Sequence, residues 1–233
     1  MKKAGIIILI FIIVGTVFAN AQEFVPEEPV TTGNYGLYAG GLASTNGFGM
    51  NLGYVISPKI TLKGGVETLS FNKGFNFDEN DISYSANLNF KTGSIFMVAD
   101  YLFTPHLYLS GGAGLNKFHP KINGEAVSDM QYGDISIPAS DVGDFRFSVE
   151  PSLKIAPYLA AGYRKFIGAQ KRVVYNFETG LYYMGAPKVN IEATGLLSPT
   201  ADPAHGQKAY LEKQFDAYKI YPVIKFNLAV KLF

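Results

Sequence analysis

The side chains best suited to nucleophilic or acid–base chemistry in this sequence are three histidines, His106, His119 and His205. A histidine beside a serine can activate the hydroxyl for acyl transfer, which would suit a hydrolase or acyltransferase acting on lipid. The sequence allows His119 to pair with Ser128 or Ser136. No acid stands at a recognisable catalytic spacing from these residues. We therefore interpret the histidines as solvated loop residues and predict that the protein is not an enzyme.

A second candidate chemistry is divalent-cation binding by acids between positions 125 and 144. Carboxylates suit such ions, but these acids lack the regular spacing of a cation-binding loop. Cysteine is absent from the chain, so neither thiolate metal ligands nor disulfides are available. We predict no metal site and no cofactor. The acids are Glu125, Asp129, Asp134, Asp141 and Asp144.

Other ionisable residues recur on the polar faces of segments in which apolar and polar residues alternate. Alternation places successive side chains of a strand on opposite faces, so closing the sheet would bring these charges together inside it. An isolated buried charge is costly, and we expect ion pairs that plug the interior rather than an open pore. The candidate network is Lys63, Glu67, Asp100, Lys154, Arg164, Glu178, Lys225 and Lys231.

Eight alternating segments of strand length could position these charges. The last one ends the chain, with Ile224, Phe226 and Leu228 on one face and Lys225 and Asn227 on the other. In the fourth, the apolar face changes sides near position 92, which predicts a β-bulge at Thr92-Gly93. The segments cover residues 35–44, 48–56, 60–67, 84–103, 107–116, 153–164, 173–183 and 218–233.

The connections between these segments alternate in length. Short links at 57–58, 104–106 and 168–171 alternate with longer ones, of which only 45–47 is brief. Short turns at one rim and long loops at the other are typical of an outer-membrane barrel, whose rims face the periplasm and the outside. The long connections are 72–83, 119–144 and 186–218.

The longest connection contains a predicted helix from Asp202 to Lys219, with Pro203 at its first position. We expect its apolar side chains to pack on the barrel rim or on the preceding loop; the alternative is a lid or a contact surface for a partner or lipopolysaccharide. Those side chains are Tyr210, Leu211, Phe215 and Tyr218.

The N-terminus has the pattern of an export signal. Two lysines precede an apolar run of about fifteen residues, shorter than the roughly 20 that a spanning helix needs. We predict a signal peptide at 1–21, a periplasmic segment at 22–33 and a barrel at 34–233. The 20 basic residues of the chain include Lys2 and Lys3, so the mature protein would carry 18 against 19 acids, with no basic excess for binding nucleic acid.

Three C-terminal stretches resemble a family of small exported outer-membrane proteins. The stretches are Ala156-Pro157-Tyr158-Leu159-Ala160-Ala161-Gly162-Tyr163, Gly185-Ala186-Pro187-Lys188-Val189-Asn190-Ile191 and Tyr221-Pro222-Val223. The resemblance implies an OmpA/OmpX-like eight-stranded barrel with a helical last loop, in a family whose members are mostly of unassigned function.

These observations predict an all-β protein: an eight-stranded antiparallel up-and-down transmembrane β-barrel with a short helix in the last extracellular loop. We expect outer-membrane lipid and lipopolysaccharide as partners, barrel-assembly machinery during biogenesis, and an external loop partner that the sequence does not identify. The predicted role is structural or surface-interacting. The alternatives are a small-solute channel or ligand-binding barrel and, for the architecture, a soluble lipocalin-like barrel.

Overall fold

The fold is described from a computed structural model of the chain, in which residues 35–168, 170–202, 204 and 206–233 are described. The predicted signal peptide at 1–21 and periplasmic segment at 22–33 lie outside these residues, as do Pro203 and His205. The described strands are β1 (Gly36–Ser44), β2 (Gly47–Ser57), β3 (Ile60–Glu79), β4 (Ile82–Leu102), β5 (Leu107–Asn116), β6 (Lys121–Ala126), β7 (Met130–Tyr132), β8 (Ile135–Ile137), β9 (Asp144–Glu150), β10 (Ile155–Ile167), β11 (Val173–Tyr183), β12 (Lys188–Ala193) and β13 (Ile220–Lys231). The helices are α1 (Ala139–Val142), α2 (Ser198–Ala201) and α3 (Gln207–Phe215), with 3₁₀ turns at Gly195–Leu197 and Asp216–Tyr218.

Eight strands form a closed antiparallel ring in the order β1-β2-β3-β4-β5-β10-β11-β13. The last strand, β13, pairs with β1 from Tyr38 opposite Lys231 to Ser44 opposite Lys225. Closure leaves the ring without an unpaired edge, as a barrel in lipid requires. The predicted fold class, an eight-stranded antiparallel up-and-down barrel with a short helix in its last loop, is confirmed.

The two faces of the ring differ in the way that the alternation predicts. On β13, Lys225 and Asn227 are buried inside the barrel, whereas Ile224, Phe226 and Leu228 stand on the outside and are about half exposed. The same inversion, with polar residues inside and large apolar residues outside, recurs on the neighbouring strands. A soluble barrel of this size would place its large apolar residues inside.

Beyond the ring, part of the chain forms a second layer at one end of the barrel. β4 pairs with β5 through residues 94–102 and, further along, with β6 through residues 84–89. β6 then pairs with β9, and β9 with β12. We call this extension, made of β3 residues 70–79 and β4 residues 82–91 together with β6, β9 and β12, the loop sheet. The barrel end that carries it, together with the link at 45–47, is the loop end; the opposite end, with the links at 57–58, 104–106 and 168–171, is the short-turn end.

The predicted bulge at Thr92-Gly93 is wrong. β3 and β4 pair without a register shift from Ile60 opposite Tyr101 to Glu79 opposite Ile82. The same face of β4 points inward along the whole strand. In the barrel that face meets a polar interior, and in the loop sheet it meets an apolar layer. The apolar residues therefore lie on the outer face in the barrel and on the inner face in the loop sheet, although the backbone keeps its register.

The helix in the last connection is shorter than predicted. α3 begins after Gly206, whose left-handed backbone (φ 69°) stands at its N-cap, and a 3₁₀ turn follows its end. It lies against the loop sheet: the Val189 N–H donates to Glu212 (3.2 Å), and the ring centroids of Phe147 and Phe215 are 6.4 Å apart. No helix within the described ranges is both long and apolar enough to cross a membrane.

Candidate functional site

The candidate site is a group of six ionised side chains inside the barrel, none of them more than 8% exposed. They project from five different strands, and the pleat turns each of them inward. Three are cationic and three anionic, so the group is neutral as a whole. Its members are Lys63, Glu67, Asp100, Arg164, Glu178 and Lys225.

Four of these residues form a chain of alternating charge. Lys63 Nζ lies 3.0 Å from Asp100 Oδ1 and 2.8 Å from Glu178 Oε2. Arg164 donates to the other carboxylate oxygen of Asp100 through Nη2. Its remaining nitrogens donate to Thr61 (2.8 Å) and Asn176 (2.9 Å). Groups inside the barrel thus replace the hydrogen bonds that water would otherwise make to these charges.

The remaining pair lies nearer the loop end. Lys225 Nζ is 3.1 Å from Glu67 Oε1. The Glu67 carboxylate also accepts hydrogen bonds from Ser94 (2.7 Å), Ser44 (2.8 Å) and the Asn46 amide (3.0 Å). Each carboxylate oxygen therefore has at least one donor, which is the condition under which a buried charge is tolerated.

Three tyrosines connect the two parts of the cluster. Tyr108 and Tyr158 donate to Glu178 at 3.0 and 2.6 Å, and the Tyr182 hydroxyl accepts from Lys225 at 3.1 Å. The alternation places all three on inward-facing positions, but their role as partners of the charges went unpredicted because sequence does not show which side chains meet across a barrel.

A glycine opposite Tyr108 makes room for its ring. A Cβ atom on Gly162 would lie 2.3 Å from the Tyr108 Cζ atom. Lys63 and Arg164 lie 4.9 and 5.0 Å from the centre of the same ring, within the range of a cation–π contact. Tyr108 is fully buried, and its ring packs between the charged side chains.

The space left around this cluster is small. Two cavities of about 20 Å³ each lie beside it, both lined in part by Asn51, Lys63 and Asn176. A volume of that size holds about one water molecule. Beside these two cavities, the ion pairs and tyrosines leave room for little more than single water molecules.

Two predicted members of the network lie elsewhere. Lys154 is exposed and lies just before β10. It is spaced like the inward-facing residues of β10, but it lies beyond the end of the barrel interior. Lys231 is the last residue of β13 and lies half-buried at the short-turn end. Lys154 lies before the start of β10, where the two-residue period of a strand no longer determines which way a side chain faces.

The structure does not bring the candidate catalytic residues together. His119 Nδ1 lies 3.0 Å from Glu150, while the hydroxyls of Ser128 and Ser136 accept hydrogen bonds from the Ser83 N–H and the Gln131 amide. Asp129, one of the candidate cation ligands, accepts from the Ala139 N–H. Among the residues the structure describes, no group of three or more His, Cys, Asp or Glu side chains is arranged to hold a metal ion.

The closed ring, its apolar outer surface and its buried ion pairs are those of an eight-stranded barrel of the outer-membrane kind. Two solved structures of such barrels are similar to this chain. Acinetobacter baumannii CarO2 matches with 18% identity and a TM-score of 0.54, over 84% of this chain and 98% of its own. Acinetobacter baumannii CarO matches with 19% identity and a TM-score of 0.50, over 83% and 96%. At these identities the likeness supports the fold.

Neither a protein-family model nor a curated protein matches the sequence. The OmpA/OmpX-like family type therefore stays a prediction.

Proposed function

We propose that this protein is a non-enzymatic, integral outer-membrane barrel with a closed interior, and that its role, structural or surface-interacting, is carried by the loop sheet outside the cell. The observation that carries this proposal is the neutral cluster of buried ion pairs inside a ring whose outer surface is apolar; we call this cluster the plug. Such a ring is stable in lipid but gives solutes no path through it.

The apolar belt supports insertion into a bilayer. On β2, Phe48, Met50, Leu52 and Tyr54 point outward and are each more than half exposed. Contiguous exposed apolar surface of this extent is rare on soluble monomers. At the short-turn end the belt includes Tyr54 and Tyr101, and aromatic residues are favoured at the margin of a membrane.

The belt ends abruptly toward the loop end. Along the outward face of β3, Leu62 and Val66 are followed by Thr68, Ser70 and Asn72. This change of chemistry on one continuous strand supports a bilayer boundary near Thr68, with the loop sheet lying in water.

The loop sheet itself is well packed, which supports a binding or protective role. Buried Ile82, Tyr84 and Val142 form a small core, and the Tyr84 ring stacks on Phe77 at 5.2 Å. A folded platform of this kind presents a fixed surface to the exterior, whereas mobile loops would not.

The absence of cysteine from the chain permits a direct test of this arrangement. Asn87→Cys places a thiol on the exposed polar face of the loop sheet, and Lys59→Cys places one in an exposed short turn. On intact bacteria, a membrane-impermeant maleimide should label the first variant and not the second, while both react after the outer membrane is permeabilised. Equal labelling of both variants on intact cells, or release of the protein without detergent, would contradict the proposal.

The alternative, a small-solute channel, predicts a different result in proteoliposomes. If the plug is closed, vesicles containing the protein swell in isosmotic amino acid or sugar solutions no faster than empty vesicles. Solute-dependent swelling would favour the channel.

A further inference from the structure

Three lysines lie on the outer wall where the apolar belt ends. Lys91 belongs to β4, Lys117 follows β5, and Lys121 begins β6. Lys91 and Lys117 are exposed and Lys121 is half-buried. None of the three forms an ion pair or a side-chain hydrogen bond with any residue that the structure describes.

The backbone holds these lysines in a fixed pattern. The segment between β5 and β6 stays beside β4, with the Lys117 N–H donating to the Gly93 carbonyl and the His119 N–H to the Lys91 carbonyl, both at 2.9 Å. Lys91 thus lies opposite His119, and Lys117 and Lys121 are its diagonal neighbours. Diagonal residues across two strands are about 7–8 Å apart.

The direction of these side chains follows from their neighbours. Phe118 packs edge-on against Phe90 at 6.0 Å on the inner face, which leaves Lys117 and His119 on the outer face. Glu150, the acid beside this group, lies 3.0 Å from His119. No ion pair joins Glu150 or another described acid to the three lysines.

Along the strand direction, the outer wall carries first apolar residues, then the three lysines, and then amide side chains. Below the lysines, Ile95, Met97 and Leu115 are exposed apolar residues of the belt. Above them, the outward positions of the loop sheet carry amides, which offer both donors and acceptors to sugar hydroxyls. These amides include Asn72, Asn76, Asn87 and Asn123.

We propose that Lys91, Lys117 and Lys121 form a binding site for a phosphorylated saccharolipid of the lipopolysaccharide type. Its acyl chains lie on the belt, its phosphates contact the lysines, and its sugars contact the amide-rich face. Lysine is a common phosphate ligand, and cations near an anionic membrane surface are stabilising. A glycerophospholipid has the first two parts but lacks the sugars. This inference rests on the proposed membrane location.

The test uses the full mature protein, purified in detergent, with rough-type lipopolysaccharide and phosphatidylglycerol as separate probes. Binding is measured for the wild type and for the triple variant Lys91→Gln, Lys117→Gln, Lys121→Gln. We expect the triple variant to bind lipopolysaccharide on the order of 100-fold more weakly, since each lysine near an anionic headgroup contributes about fivefold. A matched control removes the same charge from exposed lysines elsewhere: Lys59→Gln, Lys73→Gln, Lys165→Gln.

A second variant, Asn72→Ala with Asn76→Ala and Asn87→Ala, tests the sugar contacts. It should weaken binding of lipopolysaccharide several-fold and leave binding of phosphatidylglycerol unchanged. Unchanged lipopolysaccharide binding in the lysine variant, an equal loss in the control variant, or equal wild-type affinity for both lipids would overturn the inference. If these variants still show the heat-dependent gel mobility of a folded barrel, such a failure concerns the lipid site and leaves the proposed function standing.

Discussion

Glu178 is the carboxylate whose neutralisation should disturb the barrel interior most. It accepts from Lys63, Tyr108 and Tyr158, and it is 4% exposed. Glu178→Gln keeps the shape of the side chain but leaves three cations with two anions in a closed space. We expect the substitution to lower the free energy of unfolding by about 3–5 kcal/mol, the usual effect of removing one partner from a buried ion pair.

An exposed ion pair in the same protein supplies the control. Glu192 lies 3.0 Å from Arg146, and both side chains are more than half exposed. Since an exposed pair contributes about 0–1 kcal/mol, Glu192→Gln should change the free energy of unfolding by no more than that. The comparison separates the effect of burial from the effect of the Glu→Gln change itself.

The partner of Glu178 offers a second check through a double-mutant cycle. Lys63→Gln together with Glu178→Gln restores neutrality, because Arg164 retains Asp100 and Lys225 retains Glu67. The coupling free energy between the two sites should be about 2–3 kcal/mol, at the upper end for residues in one ion-pair network.

The chain has no tryptophan, so unfolding in detergent or lipid is followed by circular dichroism and by gel mobility, with linear extrapolation from denaturant. The reasoning is refuted if Glu178→Gln is no more destabilising than Glu192→Gln and the coupling is below about 0.5 kcal/mol.

Three further results are expected. Gly162→Ala forces the Tyr108 ring away from Glu178 and should cost about 1–3 kcal/mol of unfolding free energy, whereas Gly111→Ala, with nothing within 4 Å of its added Cβ, should have little effect. Phe226→Arg, in the middle of the belt, should cost about 2–4 kcal/mol in lipid bilayers, whereas Asn87→Arg on the loop sheet should stay within about 0.5 kcal/mol; equal costs would argue against the belt. His119→Ala should leave phospholipid and lipid A turnover unchanged in cells that express the protein; loss of turnover would support an enzyme.

The ring was predictable because its lipid-facing and interior positions alternate strictly. On β13, exposed apolar residues such as Phe226 alternate with buried residues such as Lys225. The sheet must close into a ring because lipid cannot satisfy the backbone groups of an unpaired strand edge. The six charges were predictable for the same reason: each stands at an inward position within a strand. Which charges pair was not, because the contact of Lys63 with Glu178 joins residues 115 positions apart across the barrel.

Strands β6, β9 and β12 of the loop sheet were not predicted because they carry weak local signals, whereas its β4 residues 84–91 lie within the predicted segment 84–103. β6 contains Asn123 and Gly124, both unfavourable in strands, and it is ordered by pairing with β4 and β9 rather than by its own propensity. The same limit applies to α3, whose start is set by the left-handed Gly206 and its packing on β12. In both cases tertiary contacts decide the boundaries.

The most direct test of the closed barrel is ion conductance in planar lipid bilayers containing the wild-type protein, with insertion verified by heat-dependent gel mobility. We expect no sustained, ion-selective conductance steps, because the ion pairs and tyrosines fill the interior. Lys154→Glu, at an exposed position above the barrel, should not change this. A steady ion-selective conductance in the wild type, altered by Lys225→Glu in the interior, would contradict the account.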